Sequence, residues 1–263
     1  MKWAGNKYTC LNRLLGHFPA ANRLIEPFTG SGAIFNNTDY ADYLLAEENN
    51  DLISLFDHLK TEKESFIVYC KAFFCPKNNV SECYYELRNQ FNMCTGTRER
   101  AALFLYLNRH GYNGLCRYNL KGGYNVPFGR YSKPYFPEAE MRYFYNKSQQ
   151  ATFIHADFRQ TFSLAKPGDL IYCDPPYAPL VQKTNFSAYT NTKFGEQEQI
   201  ILAELALDSA TRGITVIISN HDTEFTREQY RGAKIQSFTV SRKISCNAEH
   251  RVPAKELLAI FRG

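Results

Sequence analysis

Asp174-Pro175-Pro176-Tyr177 follows the apolar run Leu170-Ile171-Tyr172-Cys173, so a buried strand is expected to end on a carboxylate, two prolines and an aromatic ring. The prolines remove two backbone donors and fix the direction of the chain, which leaves the Pro175 carbonyl facing outward beside the Asp174 carboxylate. Such a cluster of acceptors without a donor suits an amino group. Accepting its N–H bonds draws the nitrogen lone pair away from the ring and toward an electrophile, while Tyr177 stacks on that ring. The plain structural alternative is a turn with a helix-capping Asp, and the strand before it argues against that.

An electrophile needs a place, and Phe28-Thr29-Gly30-Ser31-Gly32 supplies one. A buried strand, Asn22 to Phe28, runs into this glycine turn, from which a short helix is expected to start. A second strand, Asp42 to Ala46, ends at Glu47, whose carboxylate is placed to accept both hydroxyls of a ribose. Gly30-Ser31-Gly32 alone is weak, and the three spaced glycines of nicotinamide binding are absent, which argues against an oxidoreductase. With no general base or metal set evident, S-adenosylmethionine fits: its sulfonium methyl is already activated, and catalysis reduces to positioning and electrostatics.

Between Glu99 and Glu138 there is no acidic residue, while Arg100, Arg109, Arg117, Lys121, Arg130 and Lys133 carry more positive charge than the whole chain's net +5. Tyr112, Tyr118, Tyr124, Phe128, Tyr131, Tyr135 and Phe136 are interleaved with them. Cations meet phosphates and aromatic rings stack on bases, so a nucleic acid is one reading of this window and a solvated face over a local core is the other.

The elements that must position these groups follow the pattern of a doubly wound α/β, Rossmann-like fold. Helical spacing runs from Leu52 to about Arg109, and residues 111–130 hold a Lys121-Gly122-Gly123 turn whose flanks are expected to pair as a hairpin. We read residues 1–51 and 150–263 as the catalytic domain and 52–149 as an inserted target-recognition module. The α/β pattern resumes with strands at 151–155, 169–173 and 213–219 and helices at 196–211 and 225–231. Residues 235–240 and 256–261 are expected to close the sheet as two antiparallel edge strands. Length and composition are those of an ordinary globular protein of 263 residues, without an apolar span, a signal-peptide pattern or repeats. A soluble, cytoplasmic, DNA-associated protein is expected, with no membrane and no metal; oligomeric state is left open, a monomer sufficing. The eight cysteines show neither zinc nor redox spacing and read as reduced thiols.

Six stretches together, 2–8, 26–32, 112–119, 125–131, 174–177 and 219–222, resemble the Dam family of DNA adenine methyltransferases, in one order over nearly the whole chain. The resemblance implies N6-methylation of adenine in double-stranded GATC, with the adenine flipped into the pocket. It assigns Trp3, Ala4, Gly5, Lys7, Phe28, Gly30, Gly32, Glu47, Asp157 and Asp174 to S-adenosylmethionine, and Asp174, Pro175 and Tyr177 to the target adenine. For DNA it points to Lys2, Arg88, Tyr112, Asn113, Leu115, Arg117, Asn119, Asn125, Pro127, Arg130 and Tyr131, with Arg117 as a bidentate guanine reader and Tyr112 as a stacking wedge.

Three departures from the family pattern stand out. Asn6 replaces a second glycine, which is tolerated where the backbone is left-handed. Glu47 stands for the usual Asp and reaches one methylene further. Residues 246–251 replace a Gly-rich loop, which bears on DNA binding strength only if that loop touches DNA. Other readings of the same residues are an amino methyltransferase acting on cytosine N4 or on RNA, and a DNA-binding relative that has lost turnover.

Overall fold

The computed structural model describes residues 1–3, 5–178, 194–240 and 254–263; Ala4 and the 246–251 loop lie outside the described residues. The strands are β1 Arg23–Glu26, β2 Asp42–Glu47, β3 Ala151–His155, β4 Leu170–Cys173, β5 Thr215–His221, β6 Lys234–Val240 and β7 Ala254–Phe261. The helices are α1 Leu11–Leu15, α2 Asn50–Glu62, α3 Glu64–Lys71, α4 Ser81–Met93, α5 Thr97–His110, α6 Glu138–Lys147, α7 Phe158–Ser163, α8 Glu196–Thr211 and α9 Glu224–Gln229. Two compact units form: Met1–Thr9, Gly30–Asn37 and Glu47–His155 make the first, and Cys10–Thr29, Thr38–Ala46 and Ala156–Gly263 the second.

In the first unit, α5 is the centre. Every residue from Ala101 to Asn108 is buried, so the helix is covered on all sides, by α2, α3 and α4 among others. Asn49 caps α2, accepting from the N–H groups of Asp51 and Leu52 at 3.0 and 3.2 Å, and Leu52, Leu55, Phe56 and Leu59 bury one stripe. Phe56 and Phe144 of α6 pack with ring centroids 4.7 Å apart.

In the second unit the strand order is β2-β1-β4-β5-β7-β6, part of a seven-stranded sheet. β2, β1, β4 and β5 are mutually parallel, while β7 runs antiparallel to both β5 and β6. Strand order reverses between β1 and β4, and ligands of such sheets bind outside the carboxyl ends at that switch. Those ends carry Pro27-Phe28 and Asp174.

One sequence expectation is corrected, and two others take a short form. The short helix expected after the glycine turn is a single 3₁₀ turn, Phe35–Asn37; Gly30 and Gly32 before it take positive φ, 49° and 69°. The flanks of Lys121-Gly122-Gly123 do pair, as a short hairpin: Tyr118 bridges Tyr124 antiparallel, and the N–H groups of Asn119 and Asn125 donate to the carbonyls of Gly123 and Arg117 at 2.8 and 3.1 Å, with a second bridge from Gly111 to Phe128. Of the last two strands only β6 lies at the edge. β7 is inserted between β5 and β6, and Leu257 to Phe261 are buried accordingly.

Candidate active site and nucleic-acid interface

In the second unit the register of β4 on β5 pairs Cys173 with Ile218, which brings Asp174 beside Ser219. Ser219 Oγ donates to Asp174 Oδ1 at 2.9 Å, and Tyr172 Oη lies 3.1 Å from the same Oγ. The carboxylate is therefore held in one orientation. Tyr177 is braced from two sides: its hydroxyl donates to Glu256 Oε2 at 3.1 Å, and its ring meets that of His221 edge-on at 4.8 Å. His221 and Glu256 are themselves paired across β5 and β7. Burial, followed by the nearby Asp174 charge, pushes the Tyr177 hydroxyl well above its ordinary pKa, so the ring stays neutral.

Behind the prolines, Gln199 Nε2 donates to the Pro176 carbonyl at 2.7 Å. Asn220 Oδ1 accepts from the N–H of Ala178 at 3.0 Å and from that of His221 at 2.8 Å. Asn220 and Gln199 are linked at 2.9 Å and buried. Ser219, Asn220, His221, Gln199 and Glu256 were absent from the expected site residues. The buried strand ending in Ser219-Asn220-His221-Asp222 was the available signal for three of them, whereas Gln199 and Glu256 come from distant segments that no local spacing marks.

In the same unit, Phe28 packs on Phe158 and Phe194, centroids 5.5 and 5.4 Å away. Asp157 caps α7, accepting from the N–H of Arg159 at 2.7 Å and pairing with its guanidinium at 2.8 Å.

In the first unit, Glu47 closes β2 and spans the glycine turn. Its Oε2 accepts from the N–H of Gly30 at 3.0 Å and its Oε1 from that of Asn49 at 3.2 Å. Burial raises its pKa, and the backbone N–H groups of Gly30, Asn49 and Glu48 oppose the rise. The Trp3 indole lies across Gly30 so closely that a Cβ there would meet Trp3 Nε1 at 2.8 Å. Lys7 is buried and donates to the Gly5 carbonyl at 2.9 Å. Asn6 does not take a positive φ, so a left-handed backbone is not what accommodates it; its side chain donates to the Trp3 carbonyl at 3.0 Å.

The basic window also belongs to the first unit. Tyr112, Asn113, Arg117, Asn119, Pro127 and Arg130 are exposed, and Leu115, Asn125 and Tyr131 are partly so. Asn113 and Arg130 both take positive φ, 53° and 54°. Asn119 Oδ1 accepts from the N–H groups of Lys121 and Gly123 at 2.9 and 3.0 Å, which rigidifies the turn. Arg117 Nε donates to Asn125 Oδ1 at 2.7 Å, so Asn125 orients the guanidinium. Lys2 Nζ sits 4.1 Å above the Tyr131 ring, and the fully buried Asn108 joins the Lys2 backbone to the Gly114 carbonyl.

Two cations are spent on structure. Arg88 donates to the Val126 carbonyl at 3.1 Å and supports the loop from α4. Arg100 is neutralised by Asp51, with Nε 2.5 Å from Oδ1.

The pattern of a family described as D12 class N6 adenine-specific DNA methyltransferase matches residues 3–244. The chain belongs to that family. Curated relatives called DNA adenine methylase include those of Haemophilus influenzae, 50% identical over 99% of this chain and 92% of the relative, Vibrio cholerae, 49% over 99% and 95%, and Escherichia coli K12, 47% over 100% and 94%. Likeness to solved structures is slight: the human methyltransferase 10 domain containing protein covers 96% of this chain and 79% of its own at 10% identity and a TM-score of 0.39.

An N6 adenine-specific DNA methyltransferase must hold an exocyclic amine, and in this one a fixed carboxylate and a braced aromatic ring stand at the end of β4. The Ser219 hydroxyl orients Asp174 there. Among the described residues no helix is long and apolar enough to cross a membrane.

Proposed function

We propose that this methyltransferase transfers a methyl group from S-adenosylmethionine to N6 of adenine in double-stranded GATC, with the adenine flipped out of the helix and held by Asp174, Pro175 and Tyr177. The observation that carries the reading is the Ser219-fixed Asp174 carboxylate beside a Tyr177 ring braced by Glu256 and His221. One N–H of the amine donates to Asp174, which raises electron density on nitrogen; Tyr177 stacks on the base and holds its plane. Flipping is required because an amine inside a stacked duplex does not reach a recessed acceptor.

The residues at the glycine turn fit S-adenosylmethionine. Gly30 leaves no room for a side chain beneath Trp3, and the Glu47 carboxylate is oriented by backbone donors with lone pairs left for ribose hydroxyls. Lys7, Gly5 and Gly32 complete that surface. When bound, the cofactor supplies a methyl group activated by its sulfonium.

Arg117, oriented by Asn125, reads a guanine; Tyr112 is the wedge left by the flipped base; Lys2, Asn113, Leu115, Asn119, Pro127, Arg130 and Tyr131 serve recognition and phosphate contact, while Arg88 acts through the Val126 backbone. Residues 52–149 are the recognition module in this reading. A cytoplasmic, DNA-associated location follows from the substrate.

The test is incubation with labelled S-adenosylmethionine and duplexes with and without GATC, followed by nucleoside analysis. Label on adenine N6 in GATC duplexes alone is expected. Label on cytosine, on RNA only, or equally on duplexes lacking GATC refutes the assignment. Arg117→Ala is expected to relax one base position by about 1–3 kcal/mol. A uniform loss across sequences makes Arg117 a phosphate contact instead.

A further inference from the structure

Along the arm that carries Arg117, side chains alternate. Arg117 and Asn119 are exposed, whereas Cys116 and Tyr118 are drawn inward. Asn49 Nδ2 donates to Cys116 Sγ at 3.3 Å, and Tyr118 Oη donates to Asp51 Oδ2 at 2.6 Å. These two partners form the start of α2, where Asn49 is the cap. Asn49 also faces the other way: its N–H is one of the backbone donors to Glu47, another being that of Gly30. Trp3, Glu47, Asn49, Leu115 and Tyr118 line one cleft of about 500 Å³.

Asp51 is a stiff member of this chain of contacts. It is buried, Arg100 holds its carboxylate from a second direction, and Arg100 is tied to the Phe91 carbonyl at 2.8 Å. A displacement of Tyr118 therefore passes to the cap of α2 rather than dissipating in a mobile side chain. Residues 116 and 118 lie on the face of this arm opposite residue 117.

We propose that Tyr118, acting through Asp51 and Asn49, is a positioning residue that couples base reading at Arg117 to the cofactor carboxylate Glu47, so that the cognate site tightens cofactor binding. The coupling rests on the function proposed above for Glu47 and Arg117. It is reciprocal: bound cofactor favours the arm's reading position to the same degree.

The experiment measures the affinity of the full chain for S-adenosylhomocysteine, an unreactive probe, alone, with a GATC duplex, and with a duplex changed at one base pair of the site. Wild type is expected to bind the probe about fivefold or more tightly with the cognate duplex than with the changed one, and Tyr118→Phe to abolish that preference while staying within about twofold of wild type without DNA. Cys116→Ala, which removes the second link, lowers the preference too and carries the test if Tyr118→Phe does not fold. An unaltered preference in both variants overturns the proposal. So does a loss of affinity that is equal with and without DNA, which marks a merely structural role. Wild-type binding without any preference overturns the coupling alone. No binding to wild type overturns the function proposed for Glu47 and the coupling with it.

Discussion

Ser219 Oγ donates to Asp174 Oδ1 at 2.9 Å, joining the end of β4 to the end of β5 in register. In the proposed mechanism, a carboxylate accepting this bond keeps one oxygen oriented for an incoming N–H without rearrangement as the reaction begins. Ser219→Ala is expected to slow the chemical step by about 1.5–3 kcal/mol, the range for a hydrogen bond to a charged group, with cofactor affinity unchanged. Single-turnover methylation against cofactor titration separates the two. A wild-type rate for this variant removes Ser219 from the mechanism.

Gly30→Ala tests the cradle beneath Trp3. The added Cβ meets Trp3 Nε1 at 2.8 Å on a backbone with φ of 49°, so the indole must move and the backbone is strained. Strain of roughly 1–3 kcal/mol and loosened cofactor binding are expected. Thermal melting and calorimetric titration with the cofactor read them; unchanged cofactor affinity argues against Trp3 as a binding surface.

Arg100 lies in the basic window yet serves Asp51, and the two roles differ in their response to salt. Arg100→Met is expected to destabilise the fold by about 3 kcal/mol, because it leaves the Asp51 carboxylate buried without its ion-pair partner. The slope of log affinity for DNA against log salt should not change. Lys121→Ala, at an exposed turn, should lower the slope by about 0.9 if it meets one phosphate. A reduced slope for Arg100→Met contradicts its placement as a structural cation.

His110 sets an acid limit to stability. It is 1% exposed, its Nδ1 donates to the Tyr106 carbonyl at 3.0 Å, and its ring lies 4.0 Å from that of Tyr106. Burial pushes its pKa down to about 4; the Tyr106 carbonyl opposes this shift, and the charges of Arg109 and Lys2 add to it. An unfolded histidine titrates near about 6.5, so between these values the unfolded chain holds the extra proton. The contribution is full above that unfolded value and is lost as pH falls toward 4, by about 3 kcal/mol. Urea melts across this range should show the limb in wild type and not in His110→Asn. A limb of equal depth in the variant assigns it to other groups.

The readable parts of the fold were those with a local signature. β1, β2 and β4 are short apolar runs ended by Pro27, Glu47 and Asp174, and α5 is an apolar stretch long enough to be a buried helix. The misread parts had a competing cause. Residues 256–261 were read as an edge strand although β7 is covered on both sides, because neighbours in a sheet are chosen by segments far away in the chain. The short helix expected after Gly32 is a single 3₁₀ turn that follows two glycines of positive φ, a conformation no composition reveals.

By itself the sequence determined the proposed reaction centre and the place of the basic window. A strand ending in Asp174-Pro175-Pro176-Tyr177 and an acid-free window from Arg100 to Pro137 are consequences of residue order alone. Tertiary structure decided what those groups face. Arg100 is 49 residues from the Asp51 that neutralises it, and Tyr177 is 79 from the Glu256 that anchors its hydroxyl. Such pairings form only when separate elements pack, and burial then decides which charges remain available and which are consumed by the fold.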